Sequence, residues 1–242
     1  MMRFKPTLSR PQKWIAALVF AASFLLQTPA RLIGLALPSA VKLHDVSGSF
    51  WNGKAAALGL GGLIVQEQLE WNFQPGRLLA GALVWDIRGR FGDHASQLRL
   101  TLAPERIEAD GVRIALPIEP FAAMVPQLKS MPLGGVLTIE AARLDRRTSL
   151  TARLDAQQVF SPLAGSGALG NYRADIGNDG NASHWQLTTI SGRLQLRGQG
   201  TLERTGMPHG QLSFETQSDI PGISALLGTL PRKDGNQFQW SF

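Results

Sequence analysis

Gly165-Ser166-Gly167-Ala168-Leu169-Gly170 matches the GxGxxG spacing of a dinucleotide-binding turn. That chemistry needs a strand before the glycines and a helix after them, so that the pyrophosphate meets a helix N-terminus. Here a strand-like run, Leu169 to Ile176, follows, and Asp175 comes too soon to be the ribose acid. The segment therefore reads as a loop. Asp175, Asp179, Gly180 and Asn181 resemble a calcium loop faintly, but the third position is Gly177 and the twelfth Gln186, where an oxygen ligand and a closing Glu are needed. His44, His94, His184 and His209 include no pair at metal-ligand spacing. Asp93 and His94 are adjacent, and strand neighbours point to opposite faces. Glu105, Glu108 and Asp110 form an acidic cluster whose spacing does not define an acid–base pair. No GxSxG elbow occurs. The chain has no cysteine, which excludes disulfide scaffolds, zinc ribbons, iron–sulfur clusters and thiol nucleophiles. These features assign no catalytic, cofactor-binding or metal-ligating residue and point away from an enzyme.

Charge excludes a further class. The net charge of +6 suggests a nucleic-acid binder until it is located. Five of the 24 Lys and Arg lie within residues 1–31, which hold no acid. The 19 that remain almost balance 18 Asp and Glu. The body is therefore nearly neutral, and no nucleic-acid partner is expected.

The basic N-terminus precedes an apolar run. Trp14 to Leu26 is thirteen residues long with only Ser23 polar, and a second apolar patch covers Leu32 to Leu37. Basic then apolar is the layout of an export signal and equally of an uncleaved signal anchor. Thr28-Pro29-Ala30 is a poor cleavage site, which favours the anchor. Residues 14–37 are long enough to cross a bilayer, with Arg31 able to snorkel near the end. The positive-inside rule then puts residues 1–13 in the cytoplasm and residues 38–242 across the membrane. The expected organisation is a cytoplasmic tail (1–13), a signal-anchor transmembrane segment (14–37) and a β-rich domain (38–242).

Within that domain, apolar and polar residues alternate with period two. Leu83 to Arg88, Gln97 to Leu102, Val136 to Glu140, Leu150 to Leu154, Gly192 to Arg197 and Gln211 to Glu215 all do so, which gives strands with one face on a core. Asp110-Gly111, Asn178 to Asn181 and Asp234-Gly235 read as turns. Three short helices are expected: Ile118 to Leu128, Ile223 to Leu230 and a single turn over Gly76 to Gly81. The fold class is mainly β: one N-terminal transmembrane helix, then a twisted, largely antiparallel multi-strand sheet or open β-sandwich with two or three short helices.

One cluster of residues is more specific. Gly48, Trp51 and Gly53 lie in a strand entering a turn, and Trp71, Pro75, Leu78 and Leu79 follow. Pro29 and Leu37-Pro38 precede them, and Ser161-Pro162-Leu163 and Leu230-Pro231 come later in the same order. This ordered set resembles the type II secretion system protein N family (general secretion pathway protein N). The resemblance implies a single-pass protein of the bacterial inner membrane in the Gram-negative envelope, with its body in the periplasm. Its partners would be other inner-membrane subunits of the secretion machine and, through the anchor, the lipid bilayer. Its role would be accessory: aiding assembly or subunit contacts during export of folded periplasmic proteins across the outer membrane. The motif residues read as structural, with Trp51, Trp71 and Trp85 packing the sheet and the glycines supplying turns or bulges. Exposed sheet edges would suit strand addition from a partner. The alternative is an AsmA-like periplasmic lipid-handling protein with an apolar β-groove. A continuous apolar groove would favour the alternative, and a filled core the accessory role.

Overall fold

The computed structural model describes residues 27–122, 132–145, 151–165, 167–178, 183–203, 208–216, 232–234 and 237–241. The alternating runs all become strands of one antiparallel sheet. They are β1 (Val41–His44), β2 (Ser47–Gly48), β3 (Asn52–Leu60), β4 (Leu63–Phe73), β5 (Leu83–Phe91), β6 (His94–Ala103), β7 (Arg106–Pro117) and β8 (Gly134–Asp145). There follow β9 (Ala152–Phe160), β10 (Gly170–Asn178), β11 (Ser183–Gly192), β12 (Leu194–Leu202), β13 (Pro208–Thr216), β14 (Arg232–Asp234) and β15 (Gln237–Ser241). From β3 to β13 each strand pairs with the next in sequence, as short connections between antiparallel neighbours require. At the ends, β1 lies outside β3, β2 also pairs with β3, and β15 lies between β13 and β14.

Register explains the alternation. Ile114, Ile139, Leu154, Ala174, Leu187, Gly198 and Leu212 are successive cross-strand partners, forming a non-polar row over seven strands. The row beside it, on the other face, reads Arg113, Glu140, Arg153, Asp175, Gln186, Gln199 and Gln211. Opposite charges meet directly along that face: Arg113–Glu140 at 2.8 Å, Arg153–Asp175 at 2.8 Å, Arg99–Asp86 at 2.7 Å and Arg173–Asp155 at 2.6 Å. Arg99 and Arg173 are held more firmly protonated, first by these hydrogen bonds and then by the carboxylate charge. Exposed pairs of this kind add little stability. They do fix register, because a one-residue slip would turn every charge onto the apolar face.

The apolar face carries two separate cores. One gathers Ala30, Ala55, Trp71 and Trp85. The other gathers Val159, Ala164, Leu169, Tyr172 and Leu194. β4 also approaches β7 across the β5–β6 hairpin. There the Gln66 side-chain amide donates to the Ala115 carbonyl, and Ser96 Oγ accepts from the Ala115 N–H at 3.0 Å. Register shifts lie between Glu67 and Glu70 and between Gln97 and Arg99, and such bulges bend a sheet. Asp110-Gly111, expected as a turn, is one of these bulges: it lies inside β7, with Gly111 at φ 58°. A single left-handed residue suits a bulge as well as a hairpin, and two residues in sequence do not distinguish them.

The second core rests on the chain's one tyrosine. Tyr172 is 6% exposed and its hydroxyl donates to the Leu194 carbonyl at 3.1 Å. Burial pushes the phenol well above its ordinary pKa. A pKa raised on folding contributes stability that is complete below the unfolded value, about 10, and is lost as pH rises beyond it. Alkaline titration followed by phenolate absorbance should therefore show no ionisation until the fold is lost. Tyr172→Phe should cost about 1 kcal/mol at neutral pH and remove this part of the alkaline destabilisation.

The expected transmembrane segment is corrected by residues 28–36. Among the described residues no helix is long and apolar enough to cross a membrane. Residues 14–26 lie outside the described residues, but the rest of the expected span belongs to the β-body. The Thr28 carbonyl accepts from Phe50 N–H at 2.8 Å, and extended Pro29 bridges Ser49. A 3-10 turn (Ala30–Leu32) and α1 (Ile33–Ala36) follow. Ala30 is 1% exposed within the first core, and Ile33 packs against it. Residues whose backbone bonds to a β-turn, as Thr28 and Pro29 do, and whose side chains pack in a protein core, as Ala30 and Ile33 do, cannot also lie in hydrocarbon. Of the second apolar patch, Ile33 packs on the sheet, while Leu32 and Leu35 stay exposed. The single N-terminal transmembrane helix over 14–37, the signal anchor, the lipid bilayer as a partner through it and the single-pass inner-membrane location are all corrected on this ground.

Of the expected helices, Ile118–Leu128 is represented by α2 (Glu119–Ala122), and residues 123–131 lie outside the described residues. Ile223 to Leu230 also lies outside them. The turn over Gly76 to Gly81 is a 3-10 helix, Pro75–Ala80, closed by Gly81 in the left-handed region. The edges are short. β1 spans four residues, β14 three, and Asp45 at φ 50° separates β1 from β2. Such edges discourage strand addition.

Candidate functional site

Gly48, Trp51, Gly53 and Trp71, four of the seven residues expected as a family motif, come together at the end of the sheet where β2 turns into β3. Gly48 has φ 89°, which lets the chain reverse so that Ser49 N–H donates to the Asn52 carbonyl at 2.8 Å. Ser49 Oγ accepts from Asn52 N–H at 3.0 Å. Asn52 Oδ1 in turn accepts from Phe73 N–H at 3.0 Å, which ties the turn to β4. Trp71 Nε1 donates to the Ser49 carbonyl at 3.1 Å, satisfying the polar atom of a ring that is 5% exposed. Its ring lies on Gly53, where an added Cβ would stand 2.5 Å from Trp71 Cζ2.

Beside this turn is an aromatic stack. Trp51 lies nearly parallel to Trp85 at a centroid distance of 6.2 Å and an interplanar angle of 10°. Phe50 meets Trp51 and Trp85 edge-on, at 5.2 and 5.6 Å. Phe73 contacts the same two rings at 4.7 and 5.3 Å. These offset and edge-on arrangements are the favourable ones for aromatic pairs. The rings pack against one another at this end of the apolar face.

Pro75, Leu78 and Leu79 lie one connection further on, in the 3-10 helix between β4 and β5. Pro75 is its first residue. Leu78 is 50% exposed and Leu79 97%, so both stand off the core that holds Trp51, Trp71 and Gly53. Sequence reading missed Ala30, Asn52 and Phe73 as parts of this corner. Their type carries no signal; only register and the return of residues 28–33 bring them in.

The candidate chemistries are taken apart by the same sheet. The glycine run at 165–170 leads into strand β10, not a helix. The four histidines lie on β1, β6, β11 and β13, and His209 pairs with Glu203 at 2.7 Å. Glu108 is buried against Arg106 at 3.2 Å and Arg143 at 3.9 Å, while Asp110 holds Arg143 at 3.0 Å. These acids are neutralised by arginines. Among the described residues no group of three or more His, Asp or Glu could hold a metal ion.

Comparison with known proteins gives one family. The family model for type II secretion system protein N matches residues 39–240. No curated protein and no solved structure matches the chain.

Proposed function

Because the chain belongs to the type II secretion system protein N family and is an accessory, non-catalytic component of that system, we propose that its β-body works as a protein-contacting scaffold in the periplasm. The observation that supports this is the filled core. The Phe50–Trp51–Phe73–Trp85 stack occupies one end of the apolar face, and Val159, Ala164, Leu169, Tyr172 and Leu194 fill a second core. A sheet that fills its apolar face with its own rings suits a rigid support better than an acyl-chain groove.

In this reading Gly48, Trp51, Gly53 and Trp71 maintain the corner, and Pro75 starts the connection that leaves it. The contacts with other subunits run through faces and connections, since the edge strands are short.

The test is photocrosslinking in intact cells that carry the whole secretion machine. A photoreactive side chain is placed at exposed polar-face positions such as Gln97, Gln186 and Gln199, and crosslinked species are identified by mass spectrometry. Crosslinks to other secretion-system subunits from at least one face are expected. Crosslinks to lipid or lipopolysaccharide alone would transfer support to the lipid-handling alternative.

A further inference from the structure

Leu79 is 97% exposed on a connection that is otherwise firmly built. Pro75 fixes the first backbone angle of its 3-10 helix. Arg77 N–H donates to the Gln74 carbonyl at 3.1 Å, Gly81 N–H to Leu78 at 2.9 Å and Ala82 N–H to Arg77 at 3.2 Å. Gln74 is itself pinned: its N–H donates to the Val84 carbonyl at 2.8 Å and its Nε2 to Asp86 Oδ2 at 2.7 Å. The two leucines are thus held out on a short turn that starts at Pro75 and is closed by the Gly81 N–H. Ile107, 56% exposed, lies at the same end of the sheet through the row Leu83–Leu102–Ile107.

Charge defines what fits there. Arg77 is exposed and makes no ion pair among the described residues, and its helix has no acid in the first turn. Nearby arginines on the strands are matched: Arg99 holds Asp86, Arg106 holds Glu108 and Arg143 holds Asp110. An exposed arginine beside projecting leucines calls for an apolar socket rimmed by a carboxylate. Membrane-lying segments present a long apolar face with several basic residues. Two leucines and one arginine on a six-residue turn are too few for that and match an interface anchor instead. A pre-built turn also loses little entropy on docking.

We propose that Leu78, Leu79 and Arg77 form a docking knob for another protein of the secretion machine, one that offers an apolar pocket with an acidic rim. The proposal rests on the accessory role and names the surface through which it is exercised. Leu79 does not pack against its own chain, so the knob can be altered without unfolding the sheet.

The test places a benzophenone side chain at position 79 in the full chain, in cells with the complete machine, and compares it with the polar-face positions above. A crosslink from position 79 to a secretion-system subunit is expected. It should fall at least tenfold with Arg77→Glu and survive Arg77→Lys. Leu79→Asp should likewise weaken co-purification of that subunit about tenfold or more, while the thermal midpoint stays at the wild-type value. Crosslinks to subunits from the polar face but none from position 79 would overturn the knob and leave the accessory role standing. Crosslinks from position 79 to lipid, or a subunit crosslink that Arg77→Glu does not reduce, would overturn it as well. No subunit crosslink from any position would remove the scaffold reading beneath it.

Discussion

Trp85→Ala is expected to destabilise the protein by about 3–5 kcal/mol, the range for truncating a buried large aromatic residue. Trp85 is 5% exposed and touches three other rings: Phe50 edge-on, Trp51 stacked and Phe73 tilted. Removing it opens a cavity at the centre of the first core and takes the favourable pair geometry from all three neighbours. Phe50 and Trp51 on the β2–β3 turn and Phe73 on β4 cannot close that space without moving the backbone. Trp51→Ala should cost less, since Trp51 is only half-buried and solvent can fill part of its place. Urea unfolding of the full chain, followed by far-ultraviolet circular dichroism, gives both values. Equal losses for the two residues would mean that the stack is not centred on Trp85.

Gly48→Ala is the second large effect. At φ 89° the alanine is strained whatever the space around it. Its Cβ would also stand 2.6 Å from the Asn52 carbonyl oxygen and 2.8 Å from the Gly53 Cα. Both are backbone atoms of the partner strand and cannot swing aside. Backbone strain of about 1–3 kcal/mol and a similar overpacking cost lead to an expected loss of about 2–5 kcal/mol. Gly81→Asn is the contrast. Gly81 is also left-handed, φ 72° and ψ 22°, but nothing lies within 4 Å of an added Cβ, and Asn tolerates that region. Its cost should stay near 1 kcal/mol or below. Comparing the two midpoints separates crowding from dihedral strain.

Much of the fold was legible because the sheet is a meander. When each strand pairs with the next, alternation within a strand is enough to assign its faces, and no long-range pairing has to be guessed. Leu83 to Arg88 and Gln97 to Leu102 read directly onto β5 and β6. The glycine–tryptophan spacing around Gly48, Trp51, Gly53 and Trp71 was legible for a related reason: turn, ring and contact surface lie within one hairpin. Asp110-Gly111 was not, because bulge and turn share the same local chemistry. Nor was the destination of Ala30 and Ile33, since an apolar stretch has the same composition whether lipid or a sheet covers it.

The amino-acid sequence by itself determined the strand alternation, the neutral charge of the body, the absence of thiol chemistry and the family motif, all of which depend on residue type and short spacing. The tertiary structure decided what covers what. It tied Thr28 and Pro29, from the expected membrane span, to the β-turn, put Ala30 and Ile33 into the first core, gathered Phe50, Trp51, Phe73 and Trp85 into one stack, and left Leu79 outside. The physical reason is that burial belongs to a surface and its partner together, and the partner is supplied only when distant strands are brought into register.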